Sequence, residues 1–230
     1  MAGRPPKVDH VKATFLSELK AAEDLAAKIQ QFVGGINSAG PPGLHPKYVR
    51  QVVELAFMGV VASWEEFLER ALVRYVAGAK TVHNYAPTPK FGLATSLAHS
   101  YQVLSGNPNF DRSKDYLKVS DPKWVTNSAD FYFSAHGFGD IVKNSNLLKH
   151  ASAIRNRVAH ASQKCRTDFR ATAIYFLNPS NNKLSRGYGP GDLLLSPVLR
   201  HFGQPAVQAR KSHFTAYSDL YKSLANKVVP

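Results

Sequence analysis

Arg155 and His160 lie five residues apart in the chain, with Asn156 directly after the arginine. These residue types suit proton transfer on an anionic group. Histidine titrates close to neutral pH and serves as a general acid or base. The planar guanidinium of arginine holds oxyanions through paired hydrogen bonds. On a helix of 3.6 residues per turn, Leu147, Ala151, Ile154, Val158 and Ala161 share one face. His160 falls nearly opposite that face, Asn156 lies one turn before it, and Arg155 sits on the flank. His160 therefore points to solvent, to another helix or to a partner subunit. The same pattern also reads as a solvated polar face that happens to carry His, Asn and two Arg.

Lys149, Arg157, Lys164, Arg166 and Arg170 surround this segment and are suited to tracking a phosphate backbone. Each alone is also an ordinary solvated helix residue. Tyr175, Phe176 and Tyr188 are able to stack on bases, although Tyr175 and Phe176 read more readily as core. His150 reads as a flank residue, and His136 with Gly137-Phe138-Gly139 as a turn near the site. Cys165, between Lys164 and Arg166, has the setting of an activated thiol, but reads more simply as structural or incidental. As the single cysteine it rules out an internal disulfide. No Cys-x-x-Cys or His-x-x-x-His pair occurs, so no metal is expected. No Gly-x-x-x-x-Gly-Lys-Ser/Thr loop and no Gly-x-Ser-x-Gly elbow is present. That excludes a P-loop NTPase and argues against a serine hydrolase, and no cofactor is expected.

Charge adds a direction. The 230 residues carry a formal +13. Residues 1–140 hold 15 basic and 13 acidic side chains; residues 141–230 hold 14 basic and only 3 acidic. A one-sided positive field attracts polyanions, nucleic acid being the commonest. Solubility or an anionic membrane surface would account for charge alone. The longest apolar run, Leu55 to Ala62, is far short of a membrane span. The N-terminus lacks the apolar stretch of a signal peptide, so a cytoplasmic location is expected.

The elements that must position the motif are helical. Val8, Val11, Phe15, Leu19, Ala22, Ala26, Ile29 and Val33 predict an amphipathic helix over 8–33, capped by Asp9 and stopped by Gly34-Gly35. A second runs from Pro46 to about Ala77 on the stripe Val49, Val53, Phe57, Val60, Trp64, Phe67, Ala71 and Tyr75. Its first half is apolar nearly all round, which marks a central or interface helix. Gly59 is a possible bend, and Glu66 and Arg70 are spaced to pair on its surface. Residues 78–130 read as an irregular insertion with a short helix over 94–104. A helix follows over about 141–162, with a possible break near Asn144-Ser145-Asn146. Residues 166–177 read as helix or short strand, 178–203 as a loop, and 206–228 as a closing helix. The sum is a single all-α domain, a helical bundle with long connecting loops and insertions.

Within that pattern, Arg155-Asn156-Arg157-Val158-Ala159-His160 resembles the Arg-polar-x-x-x-His signature of the HEPN superfamily. The upstream Ala62-Ser63-Trp64-Glu65-Glu66-Phe67-Leu68 resembles the second core helix of those proteins, which often carries an acidic residue near the site. The resemblance covers about 10–33, 46–77, 141–165 and 206–228, and leaves 80–130 and 178–203 unexplained. It implies an all-helical domain that dimerises and brings two motifs into one cleft. Many members are metal-independent endoribonucleases of toxin–antitoxin, restriction or antiphage systems; others are non-catalytic binding or scaffold domains.

On that reading Arg155 and His160 carry RNA cleavage. One histidine per chain accepts the 2′-hydroxyl proton or protonates the leaving oxygen, and Arg155 stabilises the charge on phosphorus. Asn156 orients His160 or binds phosphate, and Glu65 or Glu66 holds Arg155, although both glutamates also read as surface charges. RNA, a second copy of the chain and an antitoxin or regulatory protein are the expected partners, with no membrane. Products would end in 2′,3′-cyclic phosphates, and DNA, lacking the attacking hydroxyl, would survive. Some toxins of this superfamily carry a modifiable tyrosine two residues after the histidine; here that position is Ser162. The alternatives are a non-catalytic HEPN-like module that binds RNA, a nucleotide or a protein, and a DNA-binding regulator supported by charge alone.

Overall fold

The computed structural model describes residues 7–33 and 43–230. Among them the chain forms ten helices and one two-stranded antiparallel sheet, so the architecture is mostly α. No helix among the described residues is long and apolar enough to cross a membrane.

Helix α1 spans Asp9–Gln30; Val8 just before it and Val11, Phe15, Leu19 and Ala26 along it are buried, Ala22 and Ile29 are half-buried, and Val33, the last of the expected stripe, lies beyond the helix end and is exposed. Its Gly34-Gly35 stop lies outside the described residues. Asp9, expected to cap α1, turns both carboxylate oxygens to the Val82 amide at 3.1 and 3.0 Å. Helix α2 spans Pro46–Val76 and runs unbroken through Gly59. Its stripe from Val49 to Tyr75 is buried, while Leu55 on the opposite side stays exposed.

The insertion is more ordered than its irregular sequence predicts. Strand β1 (Thr88–Pro89) pairs with β2 (Phe133–Ala135). Helix α3 covers Leu97–Ser105 and stops at Gly106, whose φ of 68° is the left-handed conformation that suits glycine. Helix α4 covers Pro122–Tyr132, largely within the stretch 78–130 that the sequence predicts to be irregular. Asp121 accepts the Lys123 amide as its cap, and Pro122 occupies the first turn.

The expected break near Asn144 is present: α5 spans Gly139–Lys143 and α6 Ser145–Ala159. Helix α7 covers Gln163–Leu177, so the β-prone stretch Thr172–Leu177 is helical. Asn178 closes it at φ 47°. A short α8, Pro190–Leu195, lies within the expected loop. The closing helix is divided into α9 (Gln204–Gln208) and α10 (His213–Val228).

The chain resolves into two compact units, and α1, α2, α6 and α10 each contribute residues to both. Among the described residues, the first unit comprises 7–17, 63–148 and 221–230. Phe67 stacks on Phe15 and Trp64 at 5.2 and 5.4 Å, Phe15 and Trp64 are tilted at 5.7 Å, and Trp64 also meets Tyr221 at 5.2 Å. The Tyr75 hydroxyl donates to the Val228 carbonyl at 3.0 Å and Lys12 Nζ to that of Val229 at 2.6 Å, fixing the end of α10. The second comprises, among the described residues, 18–33, 43–62 and 149–220. Phe57 of α2 packs edge-on against Phe214 and Tyr217 of α10, and Phe176 of α7 meets Tyr217 at 6.1 Å.

Candidate functional site

Helix α6 presents Ala151 and Ile154 to the core with no exposed surface, and Leu148 nearly so. Val158 is half-buried and Ala161 exposed, so the apolar face fades toward the C-terminal end. Helix α6 ends at Ala159, which corrects the expectation that the whole motif is helical. The His160 amide still donates to the Asn156 carbonyl at 2.9 Å, completing the last turn. Two residues later Ser162 caps α7, its hydroxyl accepting the Cys165 amide at 3.3 Å. A chain that must start a new helix at Gln163 has no room to continue α6 through His160. The histidine therefore sits on the exposed joint between two helices.

Arg155 and Asn156 are half-buried, and Arg155 Nη1 donates to Asn156 Oδ1 at 3.1 Å. Arg157, also half-buried, donates through Nη1 to the His160 carbonyl at 3.4 Å and steadies the joint. Arg155, Asn156 and His160 are thus gathered at one end of α6. Lys149 and Arg166 are exposed. Lys164 is exposed and bound to Asp168 at 2.8 Å; that bond raises its pKa. Cys165 is a half-buried free thiol.

Glu65 and Glu66 belong to the other unit. Glu66 is exposed and bound by Arg70 of its own helix at 2.9 Å, as the spacing predicts. Glu65 is half-buried. The His136–Gly139 turn also belongs to the other unit, where His136 Nε2 meets Asp130 Oδ1 at 2.8 Å.

The sequence reading missed an acidic residue of α2 inside the motif's own unit. Glu54 is half-buried, and its Oε1 accepts the Gly191 amide at 2.8 Å. Burial raises its pKa; the Asp192 charge adds to this, while the Gly191 bond and the Arg157 and Arg50 charges oppose it. Asp192 is itself divided between Arg50 Nη1 at 2.6 Å and the Gly189 amide at 2.8 Å. These bonds tie the start of α8 to α2. Beside them a cleft of about 400 Å³ is lined by Arg50, Asp192, Ser196, Gln30, Val49 and Leu195, among others. The available signal was a lone glutamate in the most apolar stretch of α2.

Glu54 gives a signed prediction. Unfolded, it titrates near the ordinary 4.5; folded, it keeps its proton to higher pH. Between those values the native state binds more protons, so stability falls as pH rises through the window and stays lower above it. Glu54→Gln keeps an oxygen for the Gly191 amide and removes the charge. It is expected to be more stable than the parent near pH 8 and to match it near pH 4, read by chemical denaturation at both. A variant weaker than the parent at pH 8 overturns this account.

No protein-family model, curated protein or solved structure matches this chain.

Proposed function

We propose that the chain is a metal-independent endoribonuclease of HEPN type, acting as a homodimer in toxin-like or defence systems of the cytoplasm. The observation that carries this reading is the arrangement at the end of α6. An exposed histidine stands on a helix joint, with the arginine and asparagine of the motif one turn behind it. An exposed imidazole is accessible to a ribose hydroxyl. The excess of basic over acidic residues in 141–230 favours a polyanionic substrate.

His160 would take or give the proton at the ribose or leaving oxygen, and Arg155 would stabilise the charge that grows on the phosphate. Asn156 would hold the Arg155 guanidinium in position through its 3.1 Å bond. Lys149, Arg157, Lys164 and Arg166 would add attraction for the backbone, and an antitoxin or regulatory protein would restrain the activity. The test is incubation of structured and single-stranded RNA with the protein in EDTA, beside Arg155→Ala and His160→Ala. Cleavage by the parent alone, leaving 2′,3′-cyclic phosphate ends, is expected. RNA binding without cleavage would replace this reading with a non-catalytic binding module.

A further inference from the structure

The stretch 178–203, which the HEPN resemblance leaves unexplained, ends in a histidine held in an unusual way. His201 has a φ of +76°, left-handed backbone that a non-glycine side chain rarely adopts. Such strain persists only where the surroundings enforce it. Here the enforcing contacts are plain. Arg200 Nη2 donates to the carbonyls of Ile174 and Tyr175 at the end of α7. His201 Nε2 donates to the Tyr175 carbonyl at 3.2 Å.

These bonds lay the His201 imidazole on the Tyr175 ring, with centroids 3.9 Å apart and planes within 15°. His150 of α6 stacks on the same phenol at 4.2 Å and 25°. One face of a phenol admits one such ring, so the two imidazoles take its two faces. The inner end of the stack is anchored, because His150 Nδ1 meets Thr172 Oγ1 at 2.9 Å and Thr172 is buried. The outer end is His201, whose ring stacks on Tyr175 and meets the Phe176 ring edge-on at 5.9 Å; as an exposed residue it turns the face away from Tyr175 toward solvent. Tyr175 itself, both faces covered, has none left for a base.

Partial desolvation lowers the His201 pKa, the Tyr175 carbonyl bond opposes this and the Arg200 charge adds to it. In sequence, residues 178–211 hold Lys183, Arg186, Arg200, Arg210 and Lys211 against Asp192, with Lys211 bound to Asp219 at 2.6 Å. An open aromatic face in a basic stretch is the combination that binds single-stranded nucleic acid with little sequence preference.

We propose that His201 is a base-stacking platform: one unpaired nucleobase of single-stranded RNA stacks on its open face and extends the His150–Tyr175–His201 column. The proposal rests on RNA being the ligand, but not on RNA being cut. Stacking of a base on one ring accounts for about a tenfold gain in affinity.

The test is fluorescence anisotropy with a labelled single-stranded 2′-O-methyl oligonucleotide, which cannot be cleaved by 2′-hydroxyl attack. His201→Asn removes the ring but tolerates the left-handed backbone; His201→Phe keeps a ring. Expected are about tenfold weaker binding for His201→Asn with the chain still folded at the assay temperature, and a smaller loss for His201→Phe, which keeps a ring without the Tyr175 carbonyl bond. The difference between parent and His201→Asn should vanish on an oligonucleotide of abasic sites. Equal binding by parent and His201→Asn overturns the platform and leaves the ribonuclease reading standing. Displacement of the oligonucleotide by micromolar AMP overturns RNA as occupant in favour of a free nucleotide. No RNA binding by the parent overturns platform and ribonuclease together. The expected His201 pattern without RNA cleavage in EDTA supports the platform and removes only the ribonuclease.

Discussion

His160→Ala is expected to slow RNA cleavage by about 10³-fold, the usual contribution of a positioned general acid or base. Stability should stay within about 0.5 kcal/mol, as for exposed positions without special contacts. His160 is exposed, and the bonds that fix its place are made by its backbone: its amide to the Asn156 carbonyl, its carbonyl to Arg157. Removing the imidazole leaves both intact, so lost activity would report chemistry rather than unfolding. Arg155→Ala should cost about 10²-fold or more, as the loss of one donor to a developing oxyanion does. Arg155→Lys separates charge from shape, since lysine keeps the cation and loses the planar fork. A rate close to that of Arg155→Ala would mean the paired hydrogen bonds matter; a rate close to the parent would mean charge suffices. The effects of Arg155→Ala and His160→Ala should not multiply, because groups acting on one transition state fail together. Mixing the two single variants tests the dimer. If one cleft uses the histidine of one copy and the arginine of the other, the mixture regains activity that neither variant has alone. Unchanged cleavage by His160→Ala would falsify the assignment of the motif.

The long helices were legible because their signal is local and periodic. The stripe from Val49 to Tyr75 is buried as written in the spacing, and that of α1 is buried at Val8, Val11, Phe15, Leu19 and Ala26 before it fades to an exposed Val33. The helix ends were less legible, since a cap competes with continuation over two or three residues. Asp121-Pro122 is a helix start that its proline disguised as a break. Ser162 is another, and overlooking it extended α6 through His160. The site was legible as a motif and illegible as a set of contacts. Glu65 and Glu66 stand out through the resemblance of their helix, whereas Glu54 is an acid of α2 in the motif's own unit, and its Gly191 partner lies 137 residues away. The stacking of His150 and His201 on Tyr175 likewise depends on three separate segments. No pattern within one window of sequence encodes it.

The largest effect on stability is expected from one of the smallest changes, Gly137→Ala. A Cβ on Gly137 would lie 1.8 Å from the Lys227 carbonyl oxygen and 2.7 Å from its carbon, with Val228 Cα at 3.0 Å. These are backbone atoms, so no rotamer change relieves the clash. Nor is the end of α10 free to retreat, because Tyr75 and Lys12 hold the Val228 and Val229 carbonyls. Either the turn or the helix end must move, and overpacking of this kind costs about 3 kcal/mol. In a chain of this length that lowers the melting temperature by about 6–12 °C. Gly139→Ala is the control: nothing lies within 4 Å of its Cβ, and it opens α5, where alanine is the better helix former. It should leave the melting temperature level or slightly higher. Equal stability of Gly137→Ala and the parent would mean that the turn does not press on α10. The same variant decides whether the His136–Gly139 turn serves the site, as its sequence suggested. The turn belongs to the other unit, and His136 is engaged by Asp130 there. Cleavage per folded molecule should therefore persist in Gly137→Ala well below its melting temperature, while that of His160→Ala is lost.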